Sequence, residues 1–338
     1  MHAVLHILAN AIDRVQLATT DTFFSLGSTF SLASLFSALM IAAVAVTVGR
    51  LRRRGRISMR LLARALRPRA AVLGASGKTD LGFFFLNTFS TGGLIGWGLV
   101  SQALVSGWTV KALTSTFGHT ASRGGGFGAA LATTVILFLA YDLAYWLDHW
   151  LSHNVPCLWE LHKVHHTAEA LSPLTNFRVH PLESLHFYNL VALFTGVANG
   201  AIAYAIGANP GHISLLGADV GVMAFMFTLA HLQHTHVWLS FRGWLGRTLL
   251  SPAHHQIHHS ADPRHFGCNL GSALAVWDLM FGTLHVPAAK REALTFGVAG
   301  ASHAAHTVTG SLITPMVEAA KVLGRAWPAA ARGEPQTS

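Results

Sequence analysis

Residues 127–153 read FGAALATTVILFLAYDLAYWLDHWLSH, and this stretch decides the fold. Residues 127–147 carry no charge apart from Asp142, and a helix needs about 20 residues to cross a bilayer. Asp148, His149 and His153 follow without a break. The stretch therefore reads as a membrane-spanning helix that delivers two histidines to one membrane face.

The rest of the chain has the same character. Of 338 residues, 51% are apolar and 11% charged, with a mean hydropathy of +0.44, whereas soluble domains carry about 25% charged residues. So few charges leave a water-facing surface uncovered and point to an integral membrane protein. The net charge of +9 raises nucleic acid as a partner, but nine arginines crowd between Arg50 and Arg69: 50, 52, 53, 54, 56, 60, 64, 67 and 69. That placement fits a membrane-flanking loop, so no nucleic acid is expected. Cys157 and Cys268 are too few for a disulfide framework and lie in no CxxC.

The expected architecture is all-α, an integral membrane helical bundle of about five spans with a His-rich helical cap. Residues 1–80 would hold an interfacial helix at 1–20, a first span at 23–48 and the basic loop. No basic segment precedes the apolar part of residues 1–20, which argues against a signal peptide. Residues 81–286 would form the membrane-embedded domain, with spans near 81–110, 127–147, 186–207 and 213–232, the last two parted by the turn Asn209-Pro210-Gly211. Residues 287–338 would be a C-terminal tail. With the arginine loop cytoplasmic, counting spans puts the ends of the third and fifth on the cytoplasmic face. Both histidine clusters then emerge there.

Histidine is the outlier, with 22 residues, five of them within 149–166 and seven within 231–259. His149 and His153 form HxxxH. His162, His165 and His166 form HxxHH, and His255, His258 and His259 form a second HxxHH. Positions i, i+3 and i+4 share a helix face, so each group is expected to point into one volume. Imidazole suits Fe, Zn, Cu and Ni, and eight such ligands exceed what one metal uses. Converging imidazoles without a metal leave lone pairs unsatisfied. A fourth group, His231, His234 and His236, ends the fifth span. Trp238-Leu-Ser-Phe-Arg-Gly-Trp beyond it suggests a chain leaving the membrane. The helix is therefore expected to end near His234, with His234 and His236 near the metals and His231 packed within the bundle.

The ordered motifs resemble the fatty acid hydroxylase/sterol desaturase superfamily over about residues 130–285. They are Tyr141–His153, Leu158–His166, Arg178-Val-His180-Pro-Leu-Glu183 and Ser251–Pro263, with Asn269-Leu-Gly and Trp277-Asp-Leu-Met-Phe-Gly-Thr downstream. The resemblance implies a helical membrane bundle with a cytosolic cap, holding two Fe ions, with Zn as a substituted metal. It implies O2 as co-substrate, a membrane lipid as substrate, and an external electron donor of ferredoxin or cytochrome type plus reductase. The implied reaction is hydroxylation or desaturation of a lipid C–H bond. The implied location is multi-pass, in the inner (cytoplasmic) membrane if the source is bacterial, with the metal site on the cytoplasmic face. Carried over as ligands are His149, His153, His162, His165, His166, His255, His258 and His259, with His234 or His236 completing the set. Two positions depart from the family pattern. Trp150 stands where Arg is common, and His236 stands where Asn is common.

Metal-bound imidazoles usually donate their second N–H to a carboxylate or carbonyl. Asp142, Asp148, Glu160, Glu183, Asp262 and Asp278 lie near the clusters in sequence. Arg178, His180 and Glu183 read as a structural bracket for the cap. Gly74-Ala-Ser-Gly77-Lys78-Thr79 imitates a phosphate loop, but Val72 occupies the required first glycine position. No haem or dinucleotide motif is legible, so electrons would come from another protein. Two other readings compete: a zinc-dependent membrane hydrolase or lyase, and a non-enzymatic metal-binding membrane protein. The first predicts activity without O2, and the second predicts ligands within the spans.

Overall fold

The computed structural model describes residues 2–28, 30–52, 58–66, 73–122, 124–208, 211–215 and 218–332. Arg53, Arg54, Arg56, Arg67 and Arg69 of the basic loop, and Asn209 and Pro210 of the expected turn, lie outside the described residues. Among the described residues, regular structure is helical apart from one antiparallel pair, Ser214–Leu215 with Ala218–Asp219.

Among the described residues, three helices are long and apolar enough to cross a membrane: Leu32–Arg52, Phe127–Asn154 and Pro181–Ile206. Ala75–Phe89 and Thr91–Phe117 make a fourth if this pair, bent by 58° at its break, counts as one span. The segment expected as a fifth span is the short helix Val220–Gln233, with a π-helical turn at Met226–Ala230. At 1.5 Å per residue it covers about 21 Å, short of a hydrocarbon core of roughly 30 Å. The protein is an all-α membrane protein with three to four candidate spans.

The Phe127–Asn154 helix has 28 residues and is about 42 Å long. It outruns the hydrocarbon core, so the last turns, with His149 and His153, can stand clear of the apolar slab. Val155 ends it in an extended conformation (φ −97°, ψ 112°), as expected for the residue before Pro156. Pro156 then opens the helix Pro156–His166, where its missing N–H costs nothing. This corner folds HxxxH back against the first HxxHH.

Two glycines bring the spans into close contact. A Cβ at Gly196 would lie 2.6 Å from Val105 Cβ, and one at Gly200 would lie 2.7 Å from the Ser106 carbonyl oxygen. The helix Pro181–Ile206 therefore approaches Gln102–Phe117 nearly backbone to backbone, as small residues four apart allow in membranes.

Buried carboxylates join the long helices to the segments that carry the second HxxHH and its neighbours. Asp142 accepts hydrogen bonds from the backbone N–H groups of Ala273 (2.9 Å) and Leu274 (3.1 Å) and from Trp277 Nε1 (3.0 Å). Asp80 and Arg178 form an ion pair of 2.9 Å with both side chains wholly buried. Arg178 also donates to the carbonyls of Val164 (2.9 Å), Ser76 (3.1 Å) and Ala305 (2.7 Å). One guanidinium thus ties together three distant parts of the chain. The segment after residue 286, expected as a tail, contains the helix Val308–Arg332 packed on Pro156–His166. His180 Nε2 lies 3.0 Å from the Leu312 carbonyl of that helix.

Overpacking such a contact typically costs 1–3 kcal/mol. Gly200→Ala should therefore lower the thermal midpoint of the solubilised protein by several degrees. Gly107→Ala, at a position with open space around it, should not.

Candidate metal centre

Among the described residues, nine histidines meet in two adjacent groups. His149, His153, His162, His166 and His258 form one, and His165, His234, His255 and His259 form the other. Within each group the donor nitrogens lie within 4.8 Å of one another. The groups touch: the His166 and His259 rings stack at 4.6 Å, and His165 and His166 are neighbours in the chain.

Neither HxxHH points into one volume as expected. His162 and His166 serve the first group while His165 serves the second, and conversely His255 and His259 serve the second while His258 serves the first. Helical geometry gives the reason. Residues four apart differ by about 40° around the axis, but consecutive residues differ by about 100°. Each triplet therefore splits, and each of the two helices carries ligands for both groups.

Three imidazoles of the first group are aimed by their outer nitrogens. His149 Nδ1 lies 2.8 Å from the Leu270 carbonyl, His258 Nδ1 2.9 Å from the Cys268 carbonyl and His162 Nδ1 2.6 Å from Glu183 Oε1. With Nδ1 donating, Nε2 presents its lone pair to the group's centre. The Nε2 atoms of His149, His153 and His258 are buried there with no partner among the described residues.

In the second group the Nε2 atoms crowd together. His234 Nε2 lies 3.1 Å from those of His165 and His259 and 2.9 Å from that of His255. Each of these histidines also has a buried Nδ1 without a partner. A neutral imidazole has one donor and one acceptor, so hydrogen bonds among the four cannot satisfy them all. Around a cation with N ligands at 2.0–2.1 Å, tetrahedral donors sit about 3.3 Å apart, close to what is found. Burial pushes His258 down to about 4 and His165 to about 3, and holds His162, His166, His234, His255 and His259 well below the ordinary imidazole value. The histidines are thus neutral, the form that binds metal. This donor set fits two transition-metal ions.

His231 and His236 belong to neither group. The helix ends at Gln233, with His234 at its cap (φ −98°, ψ 59°), so His234 reaches the centre. His231 remains in the bundle, 2.9 Å from Ser34 Oγ and edge-on to Phe30. The chain ends its helix as expected, but the geometry groups His234 alone with the other donors.

Of the six carboxylates singled out from the sequence, only Glu183 touches a grouped histidine. Asp148 contacts His186 Nδ1 at 2.6 Å, since it sits one residue, and so about 100°, away from His149 on the helix. Glu160, two residues before His162 and on the other side of its helix, pairs with Lys163. Asp262 pairs with exposed Arg264 and caps the turn Pro263–His265. Asp142 lies two turns below His149 and holds the 273–277 segment instead. Asp278 acts one step removed: it accepts from the N–H groups of Leu270 (2.8 Å) and Gly271 (2.9 Å), fixing the loop whose Leu270 carbonyl meets His149. The carbonyls of Leu270 and Cys268 have no sequence signature, because every residue carries one. Asp80 did have one, as a lone acid at the start of an uncharged stretch.

Loss of a partner to a metal-bound imidazole typically costs 10–100-fold in affinity. Glu183→Gln should weaken metal retention by that order against a chelator, whereas Glu160→Gln should leave it unchanged.

Residues 134–283 match the fatty acid hydroxylase family model. Alkylglycerol monooxygenase of Danio rerio is 28% identical over 152 residues, 44% of this chain and 29% of that protein. The Homo sapiens enzyme of the same name is 28% identical over 164 residues, 48% of this chain and 32% of that protein. The chain thus spans about a third of the length of the curated relatives it matches. No solved structure matches it. The matched region contains all nine grouped histidines, so the likeness to the fatty acid hydroxylase family covers the whole of the candidate metal centre.

Proposed function

We propose that this protein is a membrane oxygenase that hydroxylates a lipid C–H bond at a di-iron centre held by the nine grouped histidines. The observation that carries the reading is the division of those histidines into two touching sets of buried, neutral donors. Two iron ions bound there would supply reductive activation of O2. The chain's residues hold and aim that centre: Glu183 and the carbonyls of Leu270 and Cys268 fix three imidazoles by their Nδ1 atoms. The surrounding helices exclude water from it.

The substrate would reach the centre from the bilayer. Tyr145 stands edge-on to His149 at 5.7 Å and to Phe187 at 5.8 Å, and neighbouring Tyr188 is exposed. These aromatic side chains, from the Phe127–Asn154 and Pro181–Ile206 helices, support an apolar approach along the junction of the two helices. The relatives' name makes an alkylglycerol-type ether lipid the first substrate class to test. Electrons would come from a separate ferredoxin or cytochrome with its reductase. With the bent pair Ala75–Phe89 and Thr91–Phe117 counted as one span, the metal face would be cytoplasmic, on the positive-inside argument. Reporters fused after His166 and after His259 should therefore both read cytoplasm, and opposite locations would refute a common site.

The zinc hydrolase reading calls for three protein ligands and an open position, fewer donors than are gathered here. The test is to supply iron-loaded protein with lipid, a reduced ferredoxin and its reductase, with and without O2. The expected result is a product heavier by one oxygen atom, matched by O2 consumption, and abolished in His166→Ala. Turnover without O2 would favour hydrolysis, and loss of two hydrogens would make the reaction a desaturation.

A further inference from the structure

Close to the nine-histidine centre lies a third set of donors that it does not use. His265, His285 and Glu292 each bring one ligand atom to within 4.8 Å of the others. His265 is 6% exposed, and its Nδ1 is buried with no partner among the described residues. Its Nε2 stops 4.0 Å from Glu292 Oε2, beyond hydrogen-bond reach. A buried polar atom left without a partner is costly, so the residue is poised for one. The His285 ring faces it edge-on at 5.3 Å.

The fold builds this set from two separate segments. Asp262 caps the turn Pro263–His265 by accepting from the Arg264 N–H at 3.0 Å, which fixes His265. Asn269, in the left-handed region at φ 56°, grips His285 by both main-chain groups: its Oδ1 accepts from the His285 N–H (2.8 Å), and its Nδ2 donates to the His285 carbonyl (2.9 Å). Glu292 Oε1 accepts from the Ala288 N–H at 3.3 Å, leaving Oε2 as the atom nearest His265.

We infer that His265, His285 and Glu292 form a separate mononuclear site for a borderline divalent cation, for which Zn2+ is the probe. Two imidazoles and one carboxylate are a known zinc donor set, with a fourth position left to water. The half-buried His285 and Glu292 give that position access to solvent. A zinc ion there pins the 285–292 segment to the 265–269 loop. That loop supplies the Cys268 carbonyl at 2.9 Å from His258 Nδ1. The ion's role is therefore to brace a histidine of the larger centre, with no electron chemistry of its own. The inference does not depend on which metals or which reaction the larger centre has.

The test compares wild type, Glu292→Gln and His285→Ala. Each protein is purified with its resident metals, equilibrated with Zn2+, passed over chelating resin, analysed for metals and melted with and without added Zn2+. The metal at the nine-histidine centre is a common background in all three. Wild type should retain one zinc per chain more than either variant, and Zn2+ should raise its melting temperature but not theirs. Glu292→Gln keeps the side chain's shape and decides the matter alone if His285→Ala does not fold. Equal zinc retention in wild type and Glu292→Gln, or an equal melting shift, would overturn the site and leave the three residues as a polar cluster only.

Discussion

Nine neutral imidazoles, eight of them buried and His153 half-buried, turn their lone pairs on one another and impose the constraint on which the rest of this structure depends. Without a cation, the Nε2 atoms of His149, His153 and His258 have no partner, and those of the second group crowd at 2.9–3.1 Å without enough donors among them. Several unsatisfied buried polar groups at about 1–3 kcal/mol each would strain a protein whose whole stability is typically 5–15 kcal/mol. The arrangement makes physical sense as a site preorganised for two metal ions, whose binding energy offsets that burial.

Holding such a centre requires rigid attachment of the histidine-bearing segments to the long helices, and fixed polar contacts provide it. Asp142 and Asp278 anchor the 270–283 region to the Phe127–Asn154 helix. The Asp80–Arg178 pair ties the first HxxHH helix to the Ala75–Phe89 helix and to residues before the C-terminal helix. A carboxylate inside an apolar helix is costly unless paired, and each of these accepts at least two hydrogen bonds. The two histidine groups differ in their support. The first is aimed by two carbonyls and a carboxylate, whereas the Nδ1 atoms of the second have no described partner.

Much of this was legible in the sequence, for identifiable reasons. Apolar length gave the helices Phe127–Asn154 and Pro181–Ile206, and histidine spacing gave eight of the nine grouped donors. The aromatic-rich segment after His236 gave the helix end that frees His234. Other features were hidden. The splitting of each HxxHH follows from a 100° step that a shared-face argument smooths over. Main-chain carbonyls leave no mark in composition. The short Val220–Gln233 helix resembled a span because hydropathy does not report where a chain bends. Proximity in sequence was a poor guide to the carboxylates, since Asp148 and Glu160 sit beside ligands yet point elsewhere.

The most direct test of the central claim is iron-edge anomalous scattering from crystals of the iron-loaded protein. Two peaks per chain are expected, one among His149, His153, His162, His166 and His258 and one among His165, His234, His255 and His259. A single peak, or iron bound away from these histidines, would contradict it.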